Sequence, residues 1–127
     1  MEYTIQKLSQ MAGISTRTLR YYDEIGLLKP ARINSSGYRI YGQKEVDLLQ
    51  QIMFYRELGV ELTIIKEILG SKDFNELKAL ESHLHKLLAQ KQQLELLIAN
   101  VTKTMEYKKG LIEMTDKEKF EGFKKKL

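Results

Sequence analysis

The stretch STRTLRYYDEIGLLKPARINSSGYRIY, from Ser15 to Tyr41, decides the fold. Basic and aromatic side chains alternate through both of its halves. These side chains are Arg17, Arg20, Tyr21, Tyr22, Arg32, Tyr38, Arg39 and Tyr41. Guanidinium groups bind phosphates and base edges, and aromatic hydroxyls add further phosphate contacts. The stretch therefore predicts a surface that contacts nucleic acid.

Two short helices are predicted around the first half of this stretch. Apolar residues follow helical spacing within Tyr3–Gly13, where Thr4 is a suitable N-cap and the glycine a natural stop. Ser15 can cap a second helix from Thr16 to about Ile25. Two short helices joined by a glycine-containing turn form a helix-turn-helix pattern.

The second helix is predicted to have one packing face and one partner face. The packing face carries Leu19, Tyr22 and Ile25. The exposed face carries Arg17, Arg20, Tyr21 and Glu24. Thr16 and Arg17 stand at the N-terminal end, from which recognition helices usually reach base edges. Tyr22 has two interpretations, core packing or phosphate contact, and its hydroxyl at the rim could combine them.

A β-hairpin is predicted after the second helix. Arg32–Asn34 and Tyr38–Tyr41 are β-prone, and Gly37 supplies the turn between them. A two-stranded hairpin is not stable alone, so it must lean on the helices and form a wing. Within it, Tyr41 is predicted to pack, and Arg39 either contacts DNA or pairs with an acidic side chain.

Two more helices and a long coiled coil are predicted next. Gln43–Leu58 and Leu62–Leu69 keep helical periodicity. From residue 77 an apolar heptad repeat begins, which predicts a self-associating helix. Its a and d positions are Leu77, Leu80, Leu84, Leu87, Lys91, Leu94, Ile98, Val101, Met105 and Lys108. Lys91 near the centre is expected to fix register and to extend outward toward Glu95.

Composition excludes several classes of protein. The net charge is +4, and between Lys7 and Lys44 seven Lys or Arg face only two acidic residues, which favours a polyanionic partner. The absence of cysteine excludes disulfides, thiolate metal sites and cysteine nucleophiles. No signal-peptide core follows Met1, and no apolar run approaches the ~20 residues that span a bilayer. We expect a soluble cytoplasmic protein without membrane association.

The sequence carries no pattern typical of catalysis or metal binding. It has no phosphate-binding glycine loop, nucleophile elbow or acid–base cluster, so we predict a non-enzyme without cofactor or metal. His83 and His85 are two residues apart on a helix and point to different faces. We expect both to lie on the solvated surface.

Three motifs in this order resemble the MerR family of bacterial transcription regulators. They are RTLRYYDEIGLL (Arg17–Leu28), GYRIY (Gly37–Tyr41) and FYRELGVELTIIKEIL (Phe54–Leu69). The resemblance extends from Tyr3 to about Tyr107. The tail MTDKEKFEGFKKKL resembles the start of the antibiotic-recognition domain in the TipA-like, multidrug-responsive subgroup. The missing thiols argue against a sensor of mercury, copper or zinc.

The resemblance implies a mainly α-helical fold with three parts. Residues 1–72 would form a winged helix-turn-helix head with a short β-hairpin wing, and the second helix pair would act as a further wing. Residues 73–109 would form a long antiparallel coiled-coil dimerisation helix. Residues 110–127 would contain a linker and the start of a truncated effector-binding domain, predicted as a capped helix from Thr115 with Phe120 and Phe123 on one side.

The resemblance also implies a function and a set of contacts. Family members bind a pseudo-palindromic promoter as homodimers and activate by distorting the spacer DNA, so that RNA polymerase is engaged indirectly. A small-molecule effector would act only through a domain absent from this sequence. The DNA-binding positions implied are Thr16, Arg17, Arg20, Tyr21, Tyr22, Tyr38, Arg39, Arg56 and Lys66. An alternative is a coiled-coil interaction module with a nonspecific DNA-binding head, and a nucleic-acid enzyme is a more distant one.

Overall fold

The computed structural model describes residues 1–123 and divides the chain into two compact units, Met1–Glu76 and Leu77–Leu127. Helices dominate both units, as predicted. The strands are β1 (Tyr3–Thr4), β2 (Arg32–Ile33) and β3 (Arg39–Tyr41). The helices are α1 (Ile5–Ala12), α2 (Thr16–Glu24), α3 (Gln43–Glu57), α4 (Leu62–Gly70) and α5 (Glu76–Lys108).

The helix-turn-helix forms because its ends are capped as the sequence predicts. The Thr4 hydroxyl accepts from the Lys7 N–H at 3.1 Å. Gly13 ends α1 with a left-handed φ of 73°, a conformation that costs most other residues energy. The Ser15 hydroxyl then accepts from the Thr18 N–H at 3.0 Å and starts α2. These caps fix the short turn between the two helices.

The wing is a three-stranded antiparallel sheet rather than the two-stranded hairpin that we predicted. Its order is β1–β3–β2, with Tyr3 opposite Tyr41 and Arg32 opposite Ile40. The residues just before the Thr4 cap are extended, so they can pair with the free edge of β3. The extra strand anchors the hairpin to the start of α1, which solves the instability of an isolated hairpin.

One hydrophobic core holds the head together. It draws on every helix of the head and on β3. Its buried members are Leu8, Leu19, Tyr22, Leu27, Leu28, Tyr41, Leu49, Ile52, Tyr55 and Ile65. Tyr41 is fully buried, as its packing interpretation requires. Burial of α2 through Leu19 and Tyr22 therefore fixes which face of that helix remains outside.

The long helix α5 leaves its heptad stripe exposed. All eight apolar a and d residues have large exposed fractions, from 36% at Leu80 to 65% at Leu77. Soluble monomers rarely expose so long a row of apolar side chains on one helix. No helix among residues 1–123 is long and apolar enough to cross a membrane.

The segment 111–123, here called the C-terminal strap, folds back on α5 instead of starting a new helix. The Asn100 amide, on the helix, donates to the carbonyls of Lys119 at 3.1 Å and Glu121 at 2.7 Å. Gln93 donates to the Gly122 carbonyl at 3.1 Å. These side-chain hydrogen bonds hold the strap against α5, and residues 111–123 do not form the predicted α-helix.

The predicted cap of the strap does form, although the helix does not. Thr115 and Glu118 exchange hydrogen bonds between hydroxyl, carboxylate and backbone N–H. Up to residue 123, one 3₁₀ turn follows, Glu118–Phe120, and Lys103 of α5 pairs with Glu118. Phe120 and Phe123 are both exposed. The remainder of the predicted helix, to Leu127, lies outside the described residues.

The surface prediction for the two histidines is wrong for one of them. His85 is exposed, but His83 is only 3% exposed. Burial, together with the nearby Lys86, lowers the pKa of His83. The two side chains point to different faces of α5, as their spacing predicts. The prediction is wrong only in placing the His83 face in solvent, since that face is buried.

Candidate nucleic-acid interface

Helix α2 divides into the two faces that its sequence predicts. Leu19 and Tyr22 are buried at 0% and 6% exposure. Arg17, Arg20 and Tyr21 are exposed on the opposite side. The hydrophobic core packs against one side of α2. The basic and aromatic side chains lie on the other side, so the core does not need them.

Three guanidinium groups meet in one cleft beside α2. Arg17 and Arg20 line it from the recognition helix and Arg56 lines it from α3. The cleft measures about 620 Å³, and its wall also includes Tyr21, Tyr22 and one acidic residue, Glu24. Within residues 1–123, none of these arginines forms an ion pair with an acidic side chain. Unpaired guanidiniums around a concave surface attract polyanions.

The wing contributes one exposed aromatic side chain, Tyr38, and one arginine that is already bonded to a carboxylate, Arg39. Tyr38 is 65% exposed at the end of the turn. The Asn34 side chain shapes that turn by accepting from the N–H groups of Ser36 and Tyr38. Arg39 is half-buried, and its Nε donates to Asp23 Oδ2 at 2.9 Å. This hydrogen bond raises the pKa of the Arg39 guanidinium.

Lys66, which the resemblance also implies as a DNA contact, is exposed and has one internal hydrogen-bond partner. It extends from α4, and its ammonium donates to the carbonyl of Ile25 at 2.8 Å. That carbonyl lies at the C-terminal end of α2, where helix carbonyls lack helical partners. Lys66 thus already has an internal partner, whereas Arg17, Arg20 and Arg56 have no acidic partner of their own.

The sequence reasoning missed two acidic residues that shape this interface. Asp23 joins α2 to the wing through Arg39, with Lys29 at 3.6 Å from its other oxygen. Glu2 accepts two hydrogen bonds from Arg32, at 2.7 Å and 3.3 Å. This pairing occupies the Arg32 guanidinium. One feature of the sequence could have indicated these pairs. Acidic residues are rare in this basic segment, and an isolated carboxylate among cations tends to form an ion pair with one of them.

The architecture and the basic cleft are characteristic of DNA-binding proteins, and comparison with known proteins identifies the family. The sequence profile described as "MerR HTH family regulatory protein" matches residues 3–72, more than half of the 127 residues. The chain belongs to the MerR family. Among residues 1–123 there is no group of three or more His, Cys, Asp or Glu side chains that could hold a metal ion.

Curated MerR-family relatives are similar along nearly the whole chain. The transcriptional activator Mta of Bacillus subtilis is 34% identical over 126 residues, covering 99% of this chain and 49% of Mta. The transcriptional activator TipA of Streptomyces lividans is 37% identical over 123 residues, covering 97% of this chain and 49% of TipA. The chain therefore spans about half the length of the relatives it matches. These MerR proteins are transcription regulators, which favours a non-enzymatic role.

Solved MerR structures share the fold. The crystal structure of SkgA from Caulobacter crescentus matches with a TM-score of 0.88 at 36% identity, covering 98% of this chain and 89% of that one. HiNmlR, described as a MerR family regulator lacking the sensor domain and bound to promoter DNA, matches with a TM-score of 0.62 at 28% identity. That match covers 85% of this chain and 89% of HiNmlR.

Proposed function

We propose that this MerR-family chain is a sequence-specific transcription regulator that binds a pseudo-palindromic promoter as a homodimer. In this proposal the recognition helices enter the major groove and the wings hold the flanking backbone. The proposed contacts come from α2, the wing and α3. They are Thr16, Arg17, Arg20, Tyr21, Tyr22, Tyr38, Arg39 and Arg56.

The observation that carries this proposal is the cleft beside α2. Three guanidiniums and the exposed Tyr21 surround it, while the opposite face of the same helix is buried in the core. An exposed helix with a basic face and a fixed orientation is suited to reading base edges while neighbouring cations hold phosphates. Tyr22 is buried and is also one of the residues that line the cleft, which supports packing combined with a rim contact.

The exposed stripe of α5 supports the homodimer. We propose that two copies pair in antiparallel orientation, because a central charged residue then approaches its own symmetry mate. Lys91 occupies that central place and is exposed. Pairing the stripes would remove eight apolar side chains per chain from water. It would also place two recognition helices at one fixed separation.

We propose activation by DNA distortion, with RNA polymerase as the indirect partner in the cytoplasm. Binding energy from two half-sites would hold a deformation of the spacer whose cost is on the order of several kcal/mol. The relatives Mta and TipA are named transcriptional activators. Because those relatives are about twice as long, we propose that a small-molecule effector acts through residues outside these 127.

Selection of binding sites from a pool of random duplex DNA tests the proposed function. The chain is expected to enrich an inverted repeat, and the enriched duplex is expected to outcompete random DNA in a gel shift. The alternative, a coiled-coil interaction module with a nonspecific head, is favoured by the long exposed stripe of α5. It predicts no enrichment and equal competition by any DNA of the same length.

Arg17→Ala is expected to weaken operator binding by about 1–3 kcal/mol if Arg17 reads a base. Its exposed position means that the head keeps its fold. Fluorescence anisotropy with the selected operator and with random DNA measures the effect, and Lys72→Ala controls for the lost charge. An equal loss on both DNAs would assign Arg17 to phosphate contact. No loss on either would remove it from the interface.

A further inference from the structure

Three cations converge on the C-terminal turn of α2, which lies away from its base-reading end. Asp23 in that turn receives Arg39 at 2.9 Å and Lys29 at 3.6 Å. Two residues later, the Ile25 carbonyl accepts a hydrogen bond from the Lys66 ammonium at 2.8 Å. The proposed function uses none of these bonds, although Arg39 is one of the proposed DNA contacts and the sequence predicted a further contact from Lys66.

Each of the two closest bonds joins α2 to a different supporting element. Arg39 comes from β3 of the wing, 16 positions away from Asp23. Lys66 comes from α4, 41 positions away from Ile25. The end of α2 is therefore bonded both to the wing and to α4.

The local chemistry favours both bonds. The Asp23 side chain is only 18% exposed and that of Arg39 31%, so water screens this pair less than a surface pair. The ammonium of Lys66 sits where the helix dipole is negative and carbonyls lack partners. Gly26, with φ of 73°, leaves room for it, because a Cβ there would lie 3.2 Å from the Lys66 ammonium.

We propose that Asp23 and Lys66 are positioning residues for operator recognition, fixing the angle of the wing and of the α3–α4 pair relative to α2. This inference rests on the proposed function. Specific binding needs all three elements in register with one half-site, whereas nonspecific binding needs only positive charge. Loss of either bond would therefore lower affinity for the operator more than affinity for random DNA.

Asp23→Ala is expected to lower the ratio of operator affinity to random-DNA affinity about tenfold, the scale of one lost charge-assisted hydrogen bond. Random-DNA affinity is expected to hold or rise, because the variant loses a negative charge. Asp23→Asn keeps an acceptor for Arg39 and is expected to lie between wild type and Asp23→Ala. An unchanged ratio in Asp23→Ala, with or without lower stability, would overturn the role of Asp23.

Lys66→Met separates positioning from phosphate contact, and it removes an exposed side chain, so the core is untouched. Operator affinity is measured against salt concentration, with Lys72→Met as a control of equal charge change. The proposal predicts weaker operator binding but the same salt slope as the control. If the plot of log affinity against log salt concentration has a slope shallower by about 0.9 than that of the control, Lys66 contacts a phosphate. If operator affinity is unchanged, Lys66 has no role in binding. Either result would overturn the assignment.

A failure of the proposed function and a failure of the positioning roles would give different binding results. If wild-type chain shows no preference between the selected duplex and random DNA, the proposed function fails. If wild type shows that preference and the Asp23 and Lys66 variants keep it in full, only the positioning assignment fails.

Discussion

Leu94→Asp is expected to convert the chain from a dimer into a folded monomer that has lost operator binding. Leu94 lies on the α5 stripe and is 58% exposed in the single chain, so its replacement leaves the protomer core intact. In a paired stripe the two new carboxylates would be removed from water, at a large desolvation cost. In a dimer, binding of the first recognition helix raises the effective concentration of the second one at its half-site. A monomer lacks this gain, so its affinity for the operator is expected to fall at least about 100-fold.

Leu96→Asp provides the matched control for this experiment. Leu96 is on the same helix, two residues away, and is 51% exposed, but it lies outside the a and d positions. We expect Leu96→Asp to remain dimeric and to bind the operator like wild type. Sedimentation equilibrium measures the oligomeric state and a gel shift the affinity. Two variants with the same oligomeric state would contradict the assignment of the stripe.

Leu19→Ala is expected to destabilise the head by about 3 kcal/mol, the usual scale for a fully buried leucine whose neighbours cannot close the cavity. Leu19 has no exposed surface and belongs to the core beneath α2. The free energy of unfolding, from urea denaturation followed by circular dichroism, measures the loss. A loss near zero would mean that Leu19 does not hold the recognition helix in place.

Tyr21→Ala is the counterpart on the other face of α2. Tyr21 is 49% exposed and lines the basic cleft. We expect unfolding free energy close to that of wild type and operator affinity reduced about tenfold, as for one lost interface contact. The two variants are thus expected to show opposite patterns, one in stability and one in DNA binding. The same pattern in both would contradict the division of α2 into a core face and a DNA face.

Features governed by local rules could be predicted from the sequence. Neighbouring residues alone determine the helix caps at Thr4 and Ser15 and the helix end at Gly13. Helical periodicity likewise places Leu19 on the buried face of α2 and Arg17 on the exposed face. The heptad stripe is also local, because a repeat of seven is visible in one helix. These features place the recognition helix and its exposed side.

Features that depend on distant pairing could not be predicted in the same way. Extended residues at Tyr3–Thr4 become a strand only because β3 offers an edge 36 positions later. Nothing next to Lys66 in sequence indicates the Ile25 carbonyl. The sequence around Asn100 does not indicate that its amide donates to the carbonyls of Lys119 and Glu121 in the strap. The burial of His83 was likewise invisible in a mostly polar helix.

The central claim is that two copies of α2, held apart by the α5 stripe, read two half-sites together. The most direct test compares binding of the chain to the selected operator with binding to the same operator after insertion of about five base pairs, half a helical turn, at its centre. The account predicts a loss of about 100-fold or more, because one half-site then faces away from its recognition helix. Equal affinity for the two duplexes would contradict it.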